Sequence, residues 1–398
     1  MPTVSQPMML FFAILAWVAV CGAATPIWPA STDVLEDLMF LNSGYRESGF
    51  AGAVTPCDFS AAGPGRITAA EWIRTVFHDM ASGNVYAGTG GVDASIMFET
   101  DRSENVGAAF NSSLAFFANY YSTQASVSDL IALSMYTAVR SCGGPVVQIR
   151  AGRIDATVAG PEGFVPVPQD STATFEQLFA MTGFSTSDMI EMTACGHTVG
   201  GVHAVDFPQI VPVGSAPPYD YVAIDSTIAI FDNRVAVEWI AGNTTDPMSV
   251  GPSVAAGFNS DAKVFGADGN VTMQALTNPT TFASTCSSIL QRMIEVVPSE
   301  VVFTDFIVAY EVKPTALQLT LLSGGTSILF TGLIRVRTTV RPASNIASVQ
   351  LIYTDRNGGN ACGACTISTS AAGTTTGFDD SFEVGSLKCT SGVRLSES

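Results

Sequence analysis

Hydrophobic periodicity changes once along this 398-residue chain, and that change limits the folds open to it. From about residue 66 to 300, apolar residues recur at three- and four-residue spacings, the period of a helix with one buried face. ASVSDLIALSMYTAVRS, TFEQLFAMTGF and TSDMIEMTACGHTVGG are the clearest examples, with Ser126 and Ser185 expected as N-caps. After Pro298 the text becomes short, β-branched and alternating: VVFTDFIVAYEVKP, ALQLTLL, TSILFTGLIRVRTTVRP and SVQLIYTD read as strands of an antiparallel unit. The expectation is a mainly α domain followed by an all-β, sandwich-like domain, with the boundary at residues 298–302. TISTSAAGTTTG, rich in Thr, Ser and Gly, is expected to be a surface loop.

With 47% apolar residues the chain can bury a sizeable core, and its length suits two domains. Residues 1–24, MPTVSQPMMLFFAILAWVAVCGAA, have the apolar run and small-residue end of a secretory signal, and no later segment is long and apolar enough to span a bilayer. The expected division is then 1–24 signal, 25–300 helical domain and 301–398 β-rich accessory domain. A formal charge of −18 excludes nucleic acid and anionic membranes as partners and suits small neutral or cationic molecules. Asn111, Asn243 and Asn270 begin Asn-x-Ser/Thr triplets, consistent with secretion and glycosylation. Without Cys21, seven cysteines remain, so at least one thiol is unpaired within the chain. ACGAC around Cys362 and Cys365 reads as disulfide-forming rather than zinc-binding.

The chain has three histidines, so imidazole chemistry must use His78, His197 or His203. In EWIRTVFHDM, Arg74 and His78 stand at i and i+4 and share one helical face. Such a pair can bind an anion, or can split a polar bond while His moves a proton and Arg stabilises developing negative charge. Phe77 would keep the pocket dry. Asp79 points elsewhere, and with Gly91, Asp93 and Ser95 of GGVDASI it offers oxygens suited to calcium; a solvated acidic loop is the plainer alternative. In TACGHTVGGVH, His197 ends an apolar helix. Thr198 could join Asp225, Thr227, the Ile230 carbonyl and Asp232 of IDSTIAIFDN around a second calcium. Asp261 of NSDAKVF could accept a hydrogen bond from His197 Nδ1 and make the imidazole a stronger metal donor.

Taken together and in this order, these stretches resemble the plant-type haem peroxidase superfamily, and a secreted fungal member in particular, over roughly residues 35–295. The resemblance implies the helical haem-peroxidase fold, haem b, two Ca2+, and reduction of H2O2 with one-electron oxidation of small organic reductants. RTVFHD implies Arg74 and His78 as the peroxide-cleaving pair with Phe77 as the distal aromatic. ETDRSEN implies Asn105 as acceptor of the His78 Nδ1 proton, with Glu99 tying that network to the calcium region. CGHTVGG implies His197 as the iron ligand, PEGFVPVPQD places Pro166 near the haem, and RSCGGP implies a Cys57–Cys142 disulfide.

Departures from the family matter for the substrate. Manganese-oxidising members use three acids at the haem edge, and here Glu71 fits one of those positions while Ile67 and His203 occupy the others. Little Mn2+ oxidation is expected, because one carboxylate is a poor site for that ion. Met192 lies near the place of the surface Trp of ligninolytic members, Ile224 replaces a proximal aromatic, Trp72 and Trp239 are expected in cores, and His203 at the surface. The alternatives are a catalytically idle protein that keeps the fold and contacts cell wall or polysaccharide through residues 301–398, and, ranked last, a zinc hydrolase using His197 and His203.

Overall fold

The protein is described from a computed structural model covering residues 29–353 and 366–392; the expected signal segment and the Cys362–Cys365 pair lie outside these residues. Helices come first, as the periodicity requires. They are α1 (Asp33–Phe40), α2 (Thr68–Met80), α3 (Ala109–Phe117), α4 (Val127–Ser141), α5 (Thr172–Met181), α6 (Thr186–His197), α7 (Arg234–Ala241), α8 (Pro252–Ala256), α9 (Ser260–Phe265), α10 (Val271–Leu276) and α11 (Pro279–Ile294). Short strands β1 (Ser43–Gly44), β2 (Gly201–His203) and β3 (Tyr221–Ala223) interrupt them. Six strands follow: β4 (Val312–Leu321), β5 (Ser327–Arg337), β6 (Gln350–Ile352), β7 (Thr366–Ser368), β8 (Ser370–Thr376) and β9 (Ser381–Gly392). Ser126 caps α4 by accepting from the Asp129 amide, and Ser185 forms a full capping box with Asp188 at α6.

The helical core gathers around α2 and α4. Trp72, fully buried, packs within ring-centroid distances of 5.2–5.3 Å of Phe50, Phe116 and Phe117. Disulfides join Cys57 to Cys142, at the end of α4, and Cys195 in α6 to Cys286 in α11. Nothing in the sequence distinguished the second pair. Among the described residues, Cys389 is the free cysteine.

The C-terminal strands form an antiparallel sheet of order β1-β8-β9-β5-β4, and β6 and β7 form a separate hairpin. Alternation along β5 divides its side chains: Ile334 and Val336 meet Ile367 and Leu387 in a small core, whereas Arg335 turns the other way, toward α1. TISTSAAGTTTG is not a loop, since it supplies β7 and β8. Its threonines are β-branched and fit a pleated surface, and Gly373 is needed because a Cβ there would meet the Tyr45 side chain at 2.7 Å. The expected boundary is also blurred. Residues 301–311 precede any ladder strand and bond instead to the helical part, through Thr304 N–H to Ala151 C=O (2.9 Å) and Ile307 N–H to Ile149 C=O (2.8 Å). From the other side, β1 adds itself to the sheet by pairing with β8.

A buried charge cluster fastens the two parts. Lys313 Nζ donates to the Asp33 carbonyl (2.8 Å), Glu36 Oε2 (2.8 Å) and Asp37 Oδ1 (3.0 Å). Arg335 donates to Asp37 Oδ1 at 2.9 Å and to Glu36 Oε1. Lys313, Arg335 and Glu36 are all within 1% of complete burial, so removing one member strands the others. Lys313→Met is expected to lower unfolding stability by about 3 kcal/mol, with Glu36→Gln restoring part of it in the double variant. Denaturant unfolding followed by circular dichroism checks this; additive losses would show that the groups do not act together.

Candidate active site

Helix α2 presents its apolar face, with Ile73, Val76 and Met80, to the core, and lines a cavity of about 530 Å3 with Arg74, Phe77 and His78. His78 Nδ1 lies 2.7 Å from Asn105 Oδ1, and Asn105 Nδ2 donates to the Glu99 carbonyl at 2.9 Å. That second bond fixes which way the amide points: its oxygen faces His78, so Nδ1 carries the proton and Nε2 keeps a lone pair. Burial, and then the Arg74 charge, hold the imidazole well below its ordinary value, against the opposing pull of the Asn105 bond. Glu99, itself buried, accepts from the Gly160 amide at 2.6 Å and pairs with Arg102 at 3.3 Å. Arg74 donates to the Val106 carbonyl at 2.8 Å and lies 4.6 Å from the Phe110 ring. Burial lowers it to about 10, which leaves it a cation at any ordinary pH.

The second imidazole reaches the same cavity from α6. His197 Nδ1 is 2.6 Å from Asp261 Oδ2, whose other oxygen accepts from Ser260 Oγ at 3.0 Å. Asp261 is fully buried in the first turn of α9, while the exposed 36% of the His197 side chain belongs to a residue lining the cavity. Burial alone would lower His197, but the Asp261 carboxylate outweighs it and the net direction is up. Pro166, Met192 and Ile224 line the same space, so Met192 is interior rather than at the surface.

At the rim, Glu71 is not alone. Arg66 pairs with Glu71 at 3.0 Å and with Asp206 at 3.2 Å. Sequence reasoning missed both Arg66 and Asp206, and the separation of 140 residues between them left no local signal. His203 is not a surface residue: it lines the cavity and its Nε2 donates to the Gly65 carbonyl at 2.7 Å. Strand β2 turns it toward that carbonyl, and it makes no pair with His197.

Two oxygen-rich groups flank these helices. Asp79 is fully buried and accepts from the Ala94 and Ile96 amides at 2.9 and 3.1 Å. Burial and the neighbouring Asp93 push its carboxyl well above the ordinary range. The Gly91 carbonyl accepts from Asp93 N–H, Asp93 Oδ1 accepts from the Ser95 amide, and the buried Ser95 Oγ has no hydrogen-bond partner among the described residues. In the second group, Thr227 Oγ1 lies 3.0 Å from both Asp225 and Asp232 carboxylates, and Thr198 Oγ1 donates to the Asp232 carbonyl at 2.5 Å. Ile230 closes the turn onto Thr227, and burial raises Asp225 to about 6. Among the described residues no cluster of three or more His, Cys, Asp or Glu is gathered as a metal site, so each group joins two carboxylates to hydroxyl and carbonyl oxygens. Such donors suit a hard cation.

Two imidazoles lining one cavity, one backed by an amide and the other by a carboxylate, define a site that can both move a proton and offer a nitrogen ligand. Residues 59–249 match the family model described as peroxidase, and this stretch is a helical peroxidase domain. It is 56% identical over 373 residues to a WSC domain-containing protein of Arthroderma benhamiae, a match covering 93% of this chain and 51% of that protein. It is 31% identical over 190 residues to manganese peroxidase H4 of Phanerodontia chrysosporium, covering 45% of this chain and 46% of the relative. A putative L-ascorbate peroxidase 6 of Arabidopsis thaliana is 31% identical over 135 residues, covering 33% of this chain and 41% of the relative. The chain spans about half the length of the curated relatives it matches. No helix among the described residues is long and apolar enough to cross a membrane.

The depressed His78 makes a stability prediction whose sign is fixed. Below the ordinary imidazole value the unfolded chain takes up a proton that folded His78 refuses, so this residue destabilises the fold as pH falls through about 6.5. His78→Leu is expected to flatten the loss of stability between pH 7 and 5, measured as denaturant midpoints; an unchanged slope would contradict the depressed value.

Proposed function

We propose that the protein is a secreted, haem-dependent peroxidase that reduces H2O2 and oxidises small organic reductants, phenols among them, in one-electron steps. The observation that carries this reading is the pairing of partners: Asn105 behind His78, Asp261 behind His197, with both imidazoles on one cavity. Haem b fits the donors present. His197 Nε2 is the free nitrogen for iron because Nδ1 is taken by Asp261, and Phe77 and Pro166 contribute apolar wall. Haem held there would supply the redox chemistry of peroxide reduction and one-electron oxidation.

The chain's own residues do the rest. His78 Nε2, kept neutral, takes the proton from one peroxide oxygen and delivers it to the other, so the departing oxygen leaves as water. Arg74 places a permanent cation where negative charge develops as the O–O bond breaks. Asn105 holds the imidazole in the required tautomer, and Glu99 holds Asn105 through its carbonyl. Arg66 neutralises both rim acids, which favours organic reductants over Mn2+. Secretion accords with the two disulfides, and residues 301–398 serve as an accessory unit built onto the catalytic part.

His78→Ala is expected to retain haem and slow the reaction with H2O2 by about 10²–10⁴-fold in stopped-flow measurements; a rate near wild type would remove His78 from this role. The two oxygen groups are read as calcium sites. Without a cation, the raised Asp225 makes the fold lose stability as pH rises from about 4 toward 6, because the unfolded carboxyl has already released its proton. Calcium reverses this, so the gain in melting temperature on adding calcium over chelator should grow between pH 4 and 7. A gain that shrinks with pH, or none, would count against these sites.

A further inference from the structure

We infer that Arg66 is a positioning residue for Arg74: by holding Glu71 and Asp206, it keeps the Arg74 guanidinium unpaired and directed at the cavity. This rests on the peroxidase reading above. Arg74 needs its charge available to an anion, yet two carboxylates stand close to it. Asp206 is near enough that a Cβ built on Gly107 would lie 3.1 Å from Asp206 Oδ2 and 3.5 Å from Arg74 Nη1, and Glu71 is one helical turn before Arg74. Left to itself, an arginine beside a partly buried carboxylate closes onto it, since the fork-shaped guanidinium matches a carboxylate in two bonds.

That closure does not occur. Arg74 makes no ion pair among the described residues, and its one hydrogen bond is to the uncharged Val106 carbonyl. Both acids are spent on Arg66 instead, at 3.0 and 3.2 Å, with the side chains of all three at most 17% exposed. Glu71 has a second partner in the Ser112 hydroxyl at 3.2 Å, whereas among the described residues the Asp206 carboxylate has Arg66 alone. Removing Arg66 therefore frees Asp206 above all. Gly107, with φ at 100°, leaves the gap between Asp206 and Arg74 open, so no side chain there would stop them from meeting.

The test uses the haem-loaded full chain and fluoride, a small anion whose binding is read from the optical spectrum without turnover. Arg66→Ala is expected to weaken fluoride by about tenfold or more, Arg66→Lys to keep most of the affinity, and Arg66→Ala combined with Asp206→Asn to return it to within about threefold of wild type. Haem content is measured for each. Equal fluoride affinity in wild type and Arg66→Ala overturns the inference, as does failure of Asp206→Asn to rescue a variant that still holds haem, because a merely structural role would not be relieved by removing the acid. A wild-type protein with no haem band and no fluoride response would instead overturn the peroxidase reading itself.

Discussion

Helix α2 is enclosed on nearly all sides yet carries Glu71, Arg74, His78 and Asp79, and everything around the cavity follows from matching those four groups. Burying ionisable side chains is unfavourable unless each finds a partner. One stretch of chain supplies nearly all of them. Ala94 and Ile96 give amides to Asp79, Asn105 its oxygen to His78, Val106 its carbonyl and Phe110 its ring to Arg74, and Ser112 its hydroxyl to Glu71. Residues 94–112 thus form a polar jacket laid along the helix, and its non-helical backbone between Glu99 and Ala108, ahead of α3, is what lets carbonyls and side chains alternate there at the spacing α2 demands. A regular helix there would have spent its amides and carbonyls on itself.

The β-sheet belongs to the same economy of burial. Glu36 and Asp37 on α1 would be costly beneath a sheet, but Lys313 on β4 and Arg335 on β5 convert that liability into a fixed docking geometry. β1 then extends the sheet from the N-terminal side, and residues 301–311 run along the strand-like segment at 149–151. The helical part and the sheet share hydrogen bonds, charges and the aromatic Phe382, which joins the main core. A sheet attached in this way is packed and hydrogen-bonded onto the helices it follows rather than tethered to them.

Much of this was readable before any coordinates. The helix-to-strand switch reflects periodicities of 3.6 and 2, and both survive in the order of elements. The Arg74 and His78 pairing was legible because i and i+4 share a face, and Ser126 and Ser185 because capping chemistry is local. Arg66 with Asp206, and Cys195 with Cys286, were not, since each contact joins distant segments whose approach depends on packing. The TISTSAAGTTTG segment misled for a different reason: small polar residues signal loops by composition, but threonine also suits a strand once neighbours exist on both sides, as β1 and β9 provide for β8. His203 misled because a lone histidine offers no pattern, and its half-buried place is decided by the β2–β3 pairing.

The two cavity imidazoles show how little is needed to give one residue type two characters. Both are heavily desolvated, which by itself depresses each of them. Behind His78 the partner is a neutral amide beside a cationic Arg74, so nothing opposes the depression strongly and the ring stays an uncharged base. Behind His197 the partner is a buried carboxylate at 2.6 Å, which reverses the direction and enriches the ring in electron density. Exchanging the partners would exchange these characters: a carboxylate behind His78 would raise its affinity for a proton, and an amide behind His197 would weaken it as an electron donor. The division between a neutral base and an electron-rich imidazole therefore lies in Asn105 and Asp261 rather than in the histidines themselves, and the proposed function rests on that division.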